Sequence, residues 1–178
     1  MRAMPNAGDV LGIGRQMSLP LRPFQGGARA MSRGPVGRME ILLVEDNLED
    51  ANTTLQALSQ GKVPCRVSLV RDGEEAVRFL HREGVFAQAP TPNLVLLDIQ
   101  LPKKDGRQVL REIRADDELK DLPVVVLTGS LVHKVILQAE HLSVDGFMDK
   151  PVDQQKFIEV VKSLRRSWLT EFVPSPLG

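Results

Sequence analysis

Residues 41–46 read Ile-Leu-Leu-Val-Glu-Asp, a run of four apolar residues that ends in two acids. A short run with no polar alternation is typical of a strand covered on both faces of a parallel sheet. Two later segments share the pattern, Leu-Val-Leu-Leu-Asp over residues 94–98 and Pro-Val-Val-Val-Leu-Thr over residues 123–128. The sequence therefore predicts three central strands, each followed directly by polar side chains.

Helical patterns alternate with these strands along the chain. Apolar residues recur at helical spacing after residue 47, after residue 73, after residue 106, over 131–142 and from Phe157 to Trp168. Residues 65–69 alternate in polarity, which predicts a half-exposed edge strand, residues 84–93 form a loop, and residues 146–149 form a short fifth strand. Strict alternation predicts an α/β fold with a doubly wound, five-stranded parallel sheet in the order 2-1-3-4-5.

Polar groups with complementary charges are expected at the carboxyl edge of this sheet, where ligands bind in such folds. The strands end in Glu45 and Asp46, in Asp98, in Thr128 and near Lys150. Clustered carboxylates repel one another, and a hard divalent cation such as Mg²⁺ relieves the repulsion. A phosphoryl group between such a cation and a lysine is neutralised from two sides, and an aspartate can carry it covalently.

Among these groups, Asp98 is predicted to be the reacting carboxylate because it ends the central strand. Glu45 and Asp46 come from the neighbouring strand and are better placed as metal ligands. The Thr128 hydroxyl is expected to donate a hydrogen bond to the phosphoryl group.

The sequence from residue 39 to residue 168 resembles the receiver domain of two-component response regulators, in its single-domain, chemotaxis-regulator-like form. The matching segments are residues 41–47, 96–106, 125–130 and 149–151, the last reading Asp-Lys-Pro. The resemblance implies the flavodoxin-like receiver fold. The loop at 84–93 and the segment Leu-Pro-Lys-Lys-Asp-Gly are most similar to the stand-alone regulators paired with phytochrome-type histidine kinases.

The resemblance also implies a role for each candidate site residue. Asp98 is the expected phosphoacceptor, and it shares a Mg²⁺ site with Glu45, Asp46 and the backbone carbonyl of Gln100. Lys150 pairs with the phosphoryl group and precedes Pro151 through a cis peptide bond. Two switch residues are expected, the Thr128 hydroxyl and the aromatic Phe147, in a chain that contains no tyrosine.

The predicted function is that of a signalling module rather than an enzyme. A histidine kinase or a phosphotransfer protein would phosphorylate Asp98 and alter the surface formed by the fourth helix, fifth strand and fifth helix. The resemblance also implies a homodimer through the face of the fourth and fifth helices. One alternative is an interaction domain that works without phosphorylation. Another is a Mg²⁺-dependent phosphatase of the haloacid dehalogenase type, but that class needs an aspartate where this chain has Gln100.

Residues 1–38 differ in composition from the rest. They carry six arginines and one acid, a charge of +5, which leaves 17 basic and 22 acidic residues, a charge of −5, for the remainder. This segment is predicted to be a disordered basic tail: an arm for an acidic partner, a start placed too early before Met39, or sequence introduced by cloning. We expect a receiver domain over 39–168 and a short tail over 169–178.

Composition excludes several other classes. Apolar runs are too short to span a bilayer, and the single cysteine, Cys65, suits a reducing cytoplasm. The acidic domain predicts no nucleic-acid binding. His81, His133 and His141 are expected to be surface residues without a role in the site.

Overall fold

Five parallel strands form one sheet in the order β2-β1-β3-β4-β5 in the computed structural model, which describes residues 37–61 and 63–164. The strands are β1 (Met39–Val44), β2 (Cys65–Val70), β3 (Leu94–Asp98), β4 (Val124–Leu127) and β5 (Gly146–Met148). The predicted fold class and strand order are confirmed.

The five connecting helices each begin after a residue whose side chain accepts a backbone N–H from the first turn. These are α1 (Leu48–Ser59), α2 (Gly73–Leu80), α3 (Gly106–Ala115), α4 (Leu131–Ala139) and α5 (Gln154–Ser163), capped by Asn47, Asp72, Asp105, Ser130 and Asp153. Such caps satisfy N–H groups that have no partner within the helix. Helix α4 ends earlier than predicted, at Ala139, and Trp168 lies outside the described residues.

Helices cover both faces of the sheet. Side chains of α1 and α5 pack on one face, around Leu43, Leu96 and Leu127. Side chains of α2, α3 and α4 pack on the other, around Leu42 and Leu97. Because every residue of β3 and β4 is buried, the continuous apolar runs of these strands are explained by two-sided coverage.

Strand β2 lies at the sheet edge as predicted, but it is not half-exposed along its length. Ser68 is only 3% exposed, and the last four residues of the strand are all buried. Val67 and Leu69 pack into the cluster with α1 and α5, whereas Val70 packs into the cluster with α2. The prediction of a half-exposed strand was therefore wrong, because helices cover both faces of this edge strand.

The predicted loop at 84–93 is partly folded onto the core. Residues Gly84–Phe86 form a short 3₁₀ helix, and Phe86 is buried with its ring edge-on to Phe79, 5.5 Å between centroids. No helix within the described ranges has the length and apolar character needed to cross a membrane.

Candidate functional site

The strand register brings the predicted polar groups to one edge of the sheet. Val44 of β1 pairs with Leu97 of β3, so Glu45 follows at the level of Asp98. Asp98 in turn pairs with Leu127 of β4, which directly precedes Thr128. Parallel strands that end at the same level therefore present an acid, an acid and a hydroxyl side by side.

Three carboxylates form a close cluster at this edge. Oxygen atoms of Glu45, Asp46 and Asp98 all lie within 4.8 Å of one another. Glu45 is fully buried and Asp98 is 7% exposed, whereas Asp46 is partly exposed. Asp98 Oδ1 accepts the backbone N–H of Gln100 at 3.1 Å, which fixes the carboxylate orientation. The cluster is thus largely shielded from water. Repulsion between like charges is stronger in such a shielded site than in water.

Lys150 lies at the centre of the negative charge. Its Nζ donates to Asp98 Oδ2 at 2.9 Å and lies 2.5 Å from Glu45 Oε2. Burial alone would lower the pKa of Lys150, but the contacts with Glu45 and Asp98 outweigh it and raise that pKa above its ordinary value. The lysine is therefore held in its charged form. Its peptide bond to Pro151 is cis, as the resemblance implied.

Glu45 retains unsatisfied acceptor capacity. Burial raises the pKa of Glu45, Lys150 opposes this, and the Asp98 charge adds to the increase. Oxygen Oε1 accepts the Asn47 N–H at 3.1 Å. Oxygen Oε2 is an ion-pair partner of Lys150 by distance, yet it is buried without a hydrogen bond of acceptable geometry to any described residue.

The donor set fits a hard divalent cation. Three clustered carboxylates supply the oxygen ligands that Mg²⁺ prefers. The exposed Gln100 follows Asp98 by two residues, so its backbone lies at the same edge.

Asp50 is a site contact that the sequence analysis missed. Its Oδ2 lies 3.1 Å from Lys150 Nζ, across 100 positions in the chain. Asp50 stands in the first turn of α1, after the Asn47 cap, rather than at a strand end. The polar residues at strand ends do not include Asp50. The position of α1 directly after β1 is the signal that could have identified it, because the first turn of this helix lies at the same edge of the sheet.

His133 is a second residue that the sequence analysis missed, and it contacts Thr128. The Thr128 Oγ1 atom lies 2.8 Å from His133 Nδ1 and accepts the Ser130 N–H at 3.1 Å. His133 is only partly exposed, so it departs from the expected surface position. The other predicted switch residue, Phe147, is also partly buried, and Lys134 Nζ lies 5.4 Å from the centre of its ring.

Two glycines keep the loop after β3 close to the site. A Cβ atom on Gly106 would lie 2.3 Å from the carbonyl oxygen of Asp98. A Cβ atom on Gly73 would lie 2.0 Å from the carbonyl oxygen of Lys104. Any side chain at these positions would displace backbone, so both glycines permit the close approach of α2 and α3 to the loop that follows Asp98.

The fold and this edge together define an α/β domain with a clustered acidic site beside a lysine, and comparison with known proteins places it in a family. The family model for the response regulator receiver domain matches residues 41–162. The chain belongs to the response regulator receiver domain family.

The similar proteins include response regulators, and the names of two of them refer to phytochromes. Response regulator Rcp1 from Synechocystis sp. is 37% identical over 129 residues, covering 72% of this chain and 88% of Rcp1. The phosphorylated cyanobacterial phytochrome response regulator RcpA is 42% identical, with a TM-score of 0.62 over 75% of this chain and 96% of RcpA. The bacteriophytochrome response regulator AtBRR is 35% identical, with a TM-score of 0.69 over 80% of this chain and 99% of AtBRR. A solved structure of Rcp1 holds Mn²⁺.

Proposed function

We propose that this protein is a single-domain response regulator that accepts a phosphoryl group on Asp98 from a histidine kinase, of the phytochrome type, or from a phosphotransfer protein. The observation that carries the proposal is the position of Asp98, 2.9 Å from Lys150 Nζ and within 4.8 Å of Glu45 and Asp46. The similarity to RcpA, which has been solved in a phosphorylated form, supports it.

Several of the chain's own residues orient and stabilise the reacting groups. An oxygen of Asp98 attacks phosphorus, the P–N bond of the phosphohistidine breaks, and its electron pair stays on the departing imidazole nitrogen. Lys150, already paired with Asp98, neutralises the negative charge that the phosphoryl oxygens bring. Thr128 follows β4, the strand beside Asp98, and on phosphorylation its hydroxyl would turn to donate its proton to a phosphoryl oxygen.

Mg²⁺ is the cofactor of this proposal. Glu45, Asp46, Asp98 and the Gln100 carbonyl would hold it, and Mn²⁺ in the related Rcp1 supports a divalent cation at this edge. When bound, it would neutralise charge on the incoming phosphoryl oxygens.

Phosphorylation would act on partners through the face formed by α4, β5 and α5. Leu131, Val132 and Val135 of α4 are between 61% and 76% exposed, an apolar surface that a partner or a second copy can cover. Thr128 and the partly buried Phe147 connect this face to the site as the proposed switch residues.

Acetyl phosphate provides a test that needs no cognate kinase. The intact mass of the full chain is measured after incubation with acetyl phosphate, with Mg²⁺ and with EDTA. We expect a gain of one phosphoryl mass that requires Mg²⁺ and is absent in Asp98→Asn. No gain in the wild type, with Mg²⁺ binding shown separately, would favour an interaction domain that works without phosphorylation, or a receiver that accepts the phosphoryl group only from a protein donor. No transfer from a phosphorylated histidine kinase or phosphotransfer protein would then contradict the proposal.

A further inference from the structure

The contact between Thr128 and His133 lies outside the roles derived so far. It joins the residue after β4 to the first turn of α4 by one side-chain hydrogen bond, 2.8 Å between Oγ1 and Nδ1. Thr128 is 3% exposed, so water does not readily replace a lost partner of its hydroxyl. This contact therefore holds the Thr128 Oγ1 atom beside the first turn of α4.

A threonine hydroxyl has one proton to donate. The Ser130 N–H already donates to Thr128 Oγ1 at 3.1 Å and occupies one acceptor direction of that oxygen. When His133 Nδ1 accepts the hydroxyl proton, Thr128 cannot also donate it to a phosphoryl oxygen on Asp98. Moving Thr128 towards Asp98 also separates Oγ1 from Nδ1, whichever atom carries the proton.

We propose that His133 is a positioning residue that holds the Thr128 hydroxyl in the unphosphorylated state and competes with the phosphoryl group for it. This inference rests on the proposed function, because it needs a phosphoryl group at Asp98. His133 touches neither Asp98 nor the metal ligands by any described hydrogen bond, so it acts through Thr128.

The surroundings of His133 allow the ring to be released. His133 lines an open cleft of about 270 Å³ between α4 and the loop after β3, together with Gln100, Leu101 and Arg107. When Thr128 leaves, water in this cleft can satisfy Nδ1. Releasing His133 from Thr128 therefore costs little free energy for the imidazole ring. The loss of this contact loosens the first turn of α4.

Beryllofluoride, a phosphoryl analogue that binds without a covalent step, tests the competition. Full-length ¹⁵N-labelled protein with saturating Mg²⁺ is titrated, and binding is followed through the backbone amides of Thr128 and Ser130. His133→Leu removes Nδ1 and should bind about threefold to tenfold more tightly, which corresponds to the net strength of one hydrogen bond. His133→Asn places an oxygen near the Nδ1 position and should restore wild-type affinity. His81→Leu, a histidine change at the end of α2, should have no effect.

The wild-type ring gives an independent signal that does not depend on any variant folding. The ¹⁵N shift of His133 Nδ1 should change on saturation to that of a water-exposed imidazole. Equal affinities for His133→Leu and wild type, or an unchanged Nδ1 shift at saturation, would overturn the inference on His133 while leaving the proposed function intact. A wild-type protein that does not bind beryllofluoride would overturn both.

Discussion

The ammonium group of Lys150 contacts the carboxylates of Glu45, Asp50 and Asp98. Removing it should lower the free energy of unfolding. In Lys150→Met, the fully buried carboxylate of Glu45 would lose the cation that lies beside it. Removing one partner of a buried pair costs about 3 kcal/mol of unfolding free energy, and Lys150 is one-fifth exposed, so we expect up to about that loss at pH 8 without Mg²⁺.

The loss should depend on pH with a defined sign. Without Lys150, the pKa of Glu45 rises still further above its unfolded value, so the variant is penalised above that pKa and recovers as the pH falls and Glu45 becomes protonated. Urea unfolding should therefore show a smaller deficit at about pH 5 than at about pH 8. Lys120→Met, which removes an exposed ion pair with Asp117, is the control and should lose less than about 1 kcal/mol at both pH values. An equal deficit for Lys150→Met at both pH values would contradict this account.

The site residues that the sequence predicted lie at strand ends, whereas the two that it did not predict lie on helices. Glu45 and Thr128 directly follow β1 and β4, Asp98 is the last residue of β3, and Lys150 lies two residues after β5. Because these parallel strands end at one edge of the sheet, their alignment predicts that the four residues converge. Asp50 and His133 stand in helices, and their contacts depend on how α1 and α4 pack on the sheet. Periodicity places a residue on a helix but does not fix the helix position to within a hydrogen-bond length.

At the scale of an element, the position of Asp98 depends on the start of α3. Gly106→Ala would place a methyl group 2.3 Å from the Asp98 carbonyl oxygen, so β3 or α3 must move. We expect a loss of about 1–3 kcal/mol in unfolding free energy, measured by urea denaturation, and slower phosphorylation by acetyl phosphate.

Gly129→Ala is a matched control at the same edge. A Cβ atom on Gly129 meets nothing within 4 Å, so this variant should stay within about 1 kcal/mol of wild type. If both alanine variants were equally stable and reacted equally fast, the close approach of α3 to Asp98 would not matter for the site.

Element boundaries show where the sequence was less informative. Strands β1, β3 and β4 each contain a run of four apolar residues, and such short runs next to turn residues predict buried strands, as the structure confirms. The alternating pattern of β2 predicts that Ser68 is exposed, but Ser68 is only 3% exposed because both faces of this strand pack into the core. The 3₁₀ turn that buries Phe86 likewise depends on Phe79 rather than on its own neighbours.

At the scale of the whole molecule, the charge distribution separates residues 1–38 from the remainder. The family model matches residues 41–162, and all five strands lie after residue 38. We propose that residues 39–168 fold independently, so deleting residues 1–38 should change the melting temperature by no more than a few degrees. A much larger decrease in thermal unfolding experiments would show that the basic segment packs against the domain.

The central claim, that Asp98 is the phosphorylated residue, is tested most directly by locating the phosphoryl group. Borohydride reduces an aspartyl-phosphate to homoserine, which tandem mass spectrometry then assigns to one position in the chain. After treatment with acetyl phosphate and Mg²⁺, we expect homoserine at position 98 and aspartate at positions 46 and 50. Homoserine at position 46 or 50, with aspartate intact at position 98, would contradict the assignment of Asp98 as the phosphoacceptor.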